Sequence, residues 1–266
     1  MTRYAALLTS LLALAAADAA EPLTDPDEIV ARANLASYYA GGDGRAEVRM
    51  IITDAQDRQQ RRQFTVLRRD LADGGDQQFL VVFSQPSDVR NTVFLVDKHI
   101  DRDDDRWLYL PGLDLVKRIS AGDKRTSFVG AHYFYEDVSG RRPSDDEHEL
   151  VETTDDYYLL RHVPVEPQTV EFADYRTWID RETFLPMKIE YRDAAAEIYR
   201  RVEVVEVTTI DGFPTVTQSR VSDLAGGGRT DMQFRYIAYD LGLPEDVFSE
   251  RSLRNPPREW LERPAR

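Results

Sequence analysis

The sequence predicts a mainly β (α+β) fold, in which one large, curved antiparallel sheet stands behind a single N-terminal helix and curls toward a barrel or stacks on itself. Three observations predict it. From Val48 onward apolar residues recur with a period of two, the signature of strands. Between the runs stand turns rich in Gly and Asp (54–57, 70–76, 211–212 and 226–228), residue types that tolerate the φ > 0 backbone of tight antiparallel hairpins. Only the segment before Gly41-Gly42-Asp43-Gly44 has a helical pattern, and those glycines end it.

The elements follow in order. Asp25 or Asp27 is placed to cap a helix running through Tyr38, with Ile29, Val30, Ala33, Leu35 and Ala36 as its apolar face. Val48, Met50 and Ile52 then alternate with their neighbours, as do Phe64 and Val66 with Gln63 and Thr65. Runs 78–84 and 91–97 are apolar on both faces, as in buried strands. Strands are also expected at 106–110, 157–163, 172–180, 187–192, 198–210, 214–223 and 229–240. That makes about eleven strands in meander order, and so wide a sheet must curl or stack on itself to hide an apolar face. The tail from Leu243, with Pro244, Pro256 and Pro257, reads as a capping loop.

Residues 1–19 read as a cleavable export signal. Arg3 supplies the positive start, 4–17 is an uncharged stretch rich in Ala and Leu, and Ala17-Asp18-Ala19 offers a small-x-small cleavage site. The apolar run falls short of the roughly 20 residues of a membrane span. The expected mature protein is therefore periplasmic, and residues 20–266 are of a size that one β-domain accommodates. With no cysteine, the fold has neither disulfides nor a lipidated N-terminal thiol.

Composition excludes some partners. The chain carries 34 basic against 48 acidic residues, a net charge of -14. Phosphate-backbone binding depends on clustered Lys and Arg, so nucleic acid is not expected as a ligand.

Catalytic and metal templates fail residue by residue. Asp101, Asp103 and Asp105 have the spacing of a calcium loop, but Arg106 and Gly112 occupy the places of its glycine and bidentate acid. His148-Glu149-Leu150-Val151-Glu152 begins like a zinc-protease helix and lacks the second histidine. His99, His132 and His162 stand far apart in sequence. No serine lies in a G-x-S-x-G elbow, and glycines 226–228 lack the Lys and Ser/Thr of a phosphate loop. The sequence therefore predicts no enzyme, metal or cofactor.

Two segments carry a resemblance. Asp180-Arg181-Glu182-Thr183-Phe184-Leu185-Pro186-Met187-Lys188 is a hairpin in which Pro186 opens a strand, where a missing N–H is tolerated. It resembles the D-x-x-T-x-L-P-x-K hairpin of LolA-like periplasmic lipoprotein carriers. A second segment runs from Leu108-Tyr109-Leu110-Pro111 through Lys117-Arg118-Ile119-Ser120 and Asp123-Lys124 to Ser127-Phe128-Val129-Gly130 and Tyr133-Phe134-Tyr135-Glu136-Asp137. It is similar to the signature of the LolA-like outer-membrane lipoprotein-sorting proteins, with Ala131-His132 where that family usually has Ser-Asp. The match is dense over 106–137 and follows the layout of most of the mature chain.

The resemblance implies an open, curved sheet around an apolar cavity, closed by helical lid segments. It further implies a non-enzymatic carrier for a lipid or lipoprotein acyl chain, with an RND/MMPL-type inner-membrane exporter as partner. Strand alternation nominates Met50, Phe64, Phe79, Val81, Phe83, Leu95, Trp107, Tyr109, Met187, Ile189, Met232, Phe234 and Tyr236 as inward, cavity-lining residues. The resemblance nominates Lys117, Arg118, Lys124, Arg125, Phe128, Tyr133, Tyr135, Glu136 and Asp137 as a lid or partner segment. A competing reading is an adaptor or sensor that binds a protein and carries no lipid. An apolar cavity favours the carrier; a filled core with an exposed apolar patch favours the adaptor.

Overall fold

The computed structural model describes residues 21–262, so the expected signal at 1–19 lies outside the described residues. Helix α1 (Pro26–Tyr38) starts where the capping pattern expects, with the Asp25 carboxylate accepting from the Asp27 N–H at 3.0 Å. Thirteen strands then form one antiparallel sheet in the order β6-β5-β4-β3-β2-β1-β13-β12-β11-β10-β9-β8-β7. They are β1 (Asp43–Thr53), β2 (Gln59–Asp70), β3 (Gln77–Gln85), β4 (Val93–Lys98), β5 (Asp105–Leu110), β6 (Leu115–Arg118), β7 (Asp146–Thr153), β8 (Tyr157–Pro164), β9 (Asp174–Asp180), β10 (Pro186–Arg192), β11 (Ile198–Ile210), β12 (Phe213–Asp223) and β13 (Arg229–Tyr239).

Two strands exceed the sequence expectation, and they are the two edges. β6 is short and carries Lys117 and Arg118; β7 carries Asp146, Glu147, Glu149 and Glu152. Edge strands are kept short and charged because an apolar edge templates aggregation, and that same device weakens their two-residue signal. The His148–Glu152 run is thus strand and not helix. β6 and β7 do not pair, so the sheet is an open half-barrel rather than a closed one.

Register carries one face continuously across the sheet. Leu160, Thr177, Ile189, Val202, Val221, Thr230 and Ile52 form one row through six strand pairings. On the other side of β1, Val66, Val81, Phe94 and Leu108 form another. This is the concave face, on which α1 and the 119–145 segment lie.

The convex face of β2–β5 is apolar too. Leu67, Leu80 and Leu95 are register partners, and with Val82 and Val93 they pack under Leu243, Val247, Phe248 and Leu253. The C-terminal tail is therefore not a plain loop: it includes α3 (Glu250–Arg254) and α4 (Arg258–Leu261), held by Arg45, which donates to the Trp260 and Leu261 carbonyls at 3.0 and 2.7 Å. A strand buried on both faces reads as a continuous apolar run, which is what 78–84 shows.

The tail cluster yields a first prediction. Leu67 is fully buried beneath it, so Leu67→Ala should cost about 2–5 kcal/mol of stability. Urea unfolding measures this, and a loss well under about 1 kcal/mol would mean that the tail does not pack there.

Candidate functional site

Because β6 and β7 stand at opposite edges, the 119–145 segment between them must cross the whole concave face. It does so as a strap with its own internal structure. Phe128 at its centre is buried against Phe64, Phe83, Phe94 and Tyr135, with ring centroids 5.4 to 6.3 Å apart. Short helix α2 (Tyr135–Ser139) follows, its first turn capped by the Asp137 carboxylate accepting from the Phe134 N–H at 2.7 Å.

The strap is tied together by one buried carboxylate. Glu136 is 2 % exposed and lies 3.2 Å from the Lys124 ammonium, 2.7 Å from Arg125 and 3.5 Å from Arg141. Burial alone would raise its pKa. Arg125, Lys124 and Arg141 outweigh that and bring it to about 2. Arg125 reaches outward to Glu171 in a bidentate pair at 2.7 Å.

Several contacts fasten the strap to the sheet. Asp137 pairs with Arg200, the Tyr133 hydroxyl bonds Ser219 at 2.7 Å, and the His132 N–H donates to Thr230 at 3.0 Å. Lys98, buried beneath, donates to the Ser139 carbonyl at 2.7 Å; burial lowers its pKa to about 8 against the pull of Asp104 and Asp70. Next to α2 the fit is close. Gly140 has φ +79°, and a Cβ there would overlap the outer end of the Tyr38 ring, so any other residue is strained and displaces that ring.

Strap, sheet and α1 border a half-open pocket of about 350 Å³. Phe64, Val66, Phe79 and Val81 line it from β2 and β3, Val216 from β12, and Met232 and Phe234 from β13. Phe128, Tyr133 and Val138 of the strap face them, with Ala36, Tyr38 and Ala40 of α1 and the turn after it.

A second pocket of about 230 Å³ lies beside the first, against β8–β11. Ile179, Ile189 and Val202 give it an apolar floor, and His148, His162, Tyr175 and Tyr191 its polar wall. His148 and His162 face each other through their Nδ1 atoms at 2.8 Å. Burial first, with His148 and Arg141 beside it, lowers the His162 pKa to about 3.

The nominated residues divide by place. Phe64, Phe79, Val81, Met232 and Phe234 line the first pocket, and Ile189 the second. Met50 and Phe83 are on the same face but wholly buried in packed core. Leu95, Trp107 and Tyr109 are on the opposite, convex face, in the cluster beneath the tail. Their assignment inward is corrected, since both faces of β4 and β5 are apolar and alternation cannot tell them apart; Phe94, Val96 and Leu108 are the inward set. Met187 stands at an irregularity between Pro186 and Lys188 and lines neither pocket. Tyr236, at φ +50°, is 47 % exposed.

Of the nominated segment, Lys124, Arg125, Phe128, Tyr133, Tyr135, Glu136 and Asp137 all belong to the strap. Lys117 and Arg118 do not; they are exposed on edge strand β6, Arg118 paired with Asp105. Sequence reasoning missed Tyr38, Tyr191 and the His148–His162 pair. Their only signal was a histidine at the same phase of two strands that pair across a turn.

A family model described as "uncharacterized protein" matches residues 75–255, the greater part of the chain. The chain belongs to that family. Its structural neighbours are LolA-like. A DUF1329 family protein from Desulfovibrio piger ATCC 29098 is 28 % identical, with a TM-score of 0.79 over 86 % of this chain and 100 % of that one. A protein described as an outer membrane lipoprotein-sorting domain, from Vibrio parahaemolyticus, is 26 % identical, with a TM-score of 0.78 over 86 % and 98 %. A LolA superfamily protein from Nitrosomonas europaea shares the fold at 17 % identity, with a TM-score of 0.66 over 86 % and 99 %. None of the curated proteins matches. The family resemblance carried by residues 106–137 and 180–188 therefore stands. Where the usual Ser-Asp pair is replaced, Ala131 is buried and His132 ties the strap to Thr230 through both its N–H and its ring.

The Glu136 cage gives a pH prediction. A carboxylate whose folded pKa lies below its unfolded value of about 4.3 stabilises the fold above that value and loses the contribution as pH falls toward about 2. Wild-type stability should thus drop between about pH 4.5 and 2 more steeply than that of Glu136→Gln. At neutral pH the variant should be about 3–5 kcal/mol less stable, since three cations lose their partner. Parallel acid titrations of the two proteins would refute the cage as the source.

Proposed function

We propose that the protein is a non-enzymatic periplasmic carrier that holds the acyl chain of a lipid or lipoprotein in the first pocket and exchanges it with an envelope transporter of the RND/MMPL type. The observation that carries this reading is the apolar pocket under the strap, whose volume is within the about 300–1,000 Å³ usual for small-molecule sites. Shielding an acyl chain is a solvation problem and needs no covalent step, because each methylene exposed to water costs about 0.8 kcal/mol. The names of the Vibrio and Nitrosomonas neighbours, a lipoprotein-sorting domain and a LolA superfamily protein, support the same reading. So does the export signal read in residues 1–19, which with the composition of residues 20–266 implies one exported domain.

Displacement of a fluorescent fatty-acid probe tests the carrier. Phe234→Ala, at a half-buried position bordering open space, should weaken probe binding severalfold while leaving the thermal melt close to wild type. Phe79→Asp should abolish binding, since an unpaired buried carboxylate costs several kcal/mol; circular dichroism separates that from unfolding. If folded wild type takes up no amphiphile at micromolar concentration, the adaptor reading replaces this one. For export, N-terminal sequencing of periplasmic protein should return a chain beginning at Ala20, and a chain beginning at Met1 would overturn the signal.

A further inference from the structure

We propose that the second pocket receives the uncharged, hydroxyl-bearing headgroup of the same amphiphile whose single acyl chain fills the first; this rests on the carrier reading above. The two pockets are neighbours: Ser37, Tyr38, Tyr133 and Asp137 line both. One molecule can therefore reach from one into the other along the Tyr38 side chain, whose place is fixed by Gly140.

The polar groups of the second pocket define what fits. Its ions are already matched within the protein: Glu136 by three cations, Asp137 by Arg200, Arg141 by Asp146 and Arg142 by Asp145. An ionised headgroup would lose its water there and gain no free countercharge. Neutral hydrogen-bonding groups, in contrast, are left over. The hydroxyls of Tyr38 and Tyr191 have no hydrogen-bond partner among the described residues, and neither does His162 Nε2.

The tautomer of His162 follows from its neighbours. His148 Nε2 lies 3.1 Å from the Pro143 carbonyl, which can only accept, so that nitrogen carries the proton. A His148 ring with its proton on Nε2 accepts at Nδ1, and His162 Nδ1–H donates to it. His162 Nε2 is left with a bare lone pair. The pocket thus offers two phenolic O–H groups and one acceptor, over an apolar floor of Ile179, Ile189 and Val202. A vicinal diol on a short carbon stem uses all three kinds of surface: one hydroxyl gives to His162 and another accepts from a tyrosine. A polar group buried without a partner costs free energy, so a ligand that supplies one is selected over one that does not.

Competition against the fluorescent fatty-acid probe by ligands of one chain length tests this. 1-Palmitoylglycerol should displace the probe about tenfold more tightly than methyl palmitate, the size of about one net hydrogen bond to a buried group. Tyr191→Phe, at a residue that lines only the second pocket, should bring that ratio close to one while leaving the methyl palmitate affinity and the thermal melt unchanged. If the glyceride and the ester compete equally in wild type, or the variant keeps the preference, the headgroup compartment is wrong and the acyl-chain carrier stands. If 1,2-dipalmitoylglycerol competes about tenfold better than the monoglyceride, the second pocket takes a second chain instead. If the probe never binds, the carrier reading fails and this inference with it.

Discussion

In this sheet β1 pairs with both β2 and β13, so the chain closes on itself at the middle of the sheet and leaves β6 and β7 at its two edges. Those strands are consecutive in sequence and farthest apart in the strand order. Their connection has no short route, and it lies across the concave face. Everything that makes the face a pocket and not an exposed apolar trough depends on that crossing. The rows of Val, Leu, Ile and Phe that register aligns across the strands have no other cover except α1.

The two halves of the sheet are finished differently. β2–β5 are buried on both faces, by the strap's Phe128 on one side and by Leu243, Val247, Phe248 and Leu253 of the tail on the other. β8–β11 present their concave face to α1 and to a mixed wall in which Tyr175, Tyr191 and His162 stand among apolar neighbours. The interior consequently changes character near β1 and β13, from close-packed aromatic core to a chamber with hydroxyl and imidazole groups. The first pocket opens where the two regimes meet, and it is there that Met232 and Phe234 keep space on one side.

Much of this was legible in the residues and some was not, for physical reasons. The alternation of Val48, Met50 and Ile52, the double-faced run at 78–84 and the Gly-Asp turns gave the sheet, because period and turn chemistry are local properties. β6 and β7 escaped because edges are protected by charge, which erases the period. Leu95, Trp107 and Tyr109 were turned to the wrong face because the cover on the convex side comes from the distant tail, about which β4 and β5 carry no information. His148 and His162 meet only through the β7–β8 register, and Tyr38 only through Gly140. Such long-range pairings have no signature within a single segment. The strap was visible as a dense family pattern, although its path across the sheet was not.

The strap's own bonding bears on how a pocket under it can open. Lys124, Arg125, Glu136, Arg141 and Asp145 of the buried ionic cage are all residues of the strap, and Arg141 pairs as well with Asp146 at the start of β7. Buried ion pairs add little net stability but are costly to break by removing one partner, which makes them good fixers of a single arrangement. The cage thus ties the strap to itself more than to the sheet. Its ties to the sheet are of two kinds: apolar at Phe128, over β2–β4, and polar at Ser139, bonded by Lys98 of β4, and at Tyr133, His132, Asp137 and Arg125, over β9–β13 and their connections. Polar groups released there regain hydrogen bonds from water, so parting on that side costs far less than drawing Phe128 out of its aromatic cluster. The geometry therefore places the firmest apolar hold of the strap at Phe128, near its middle. Tyr38, Tyr133 and Asp137, which line both pockets, stand on the polar side of that hold.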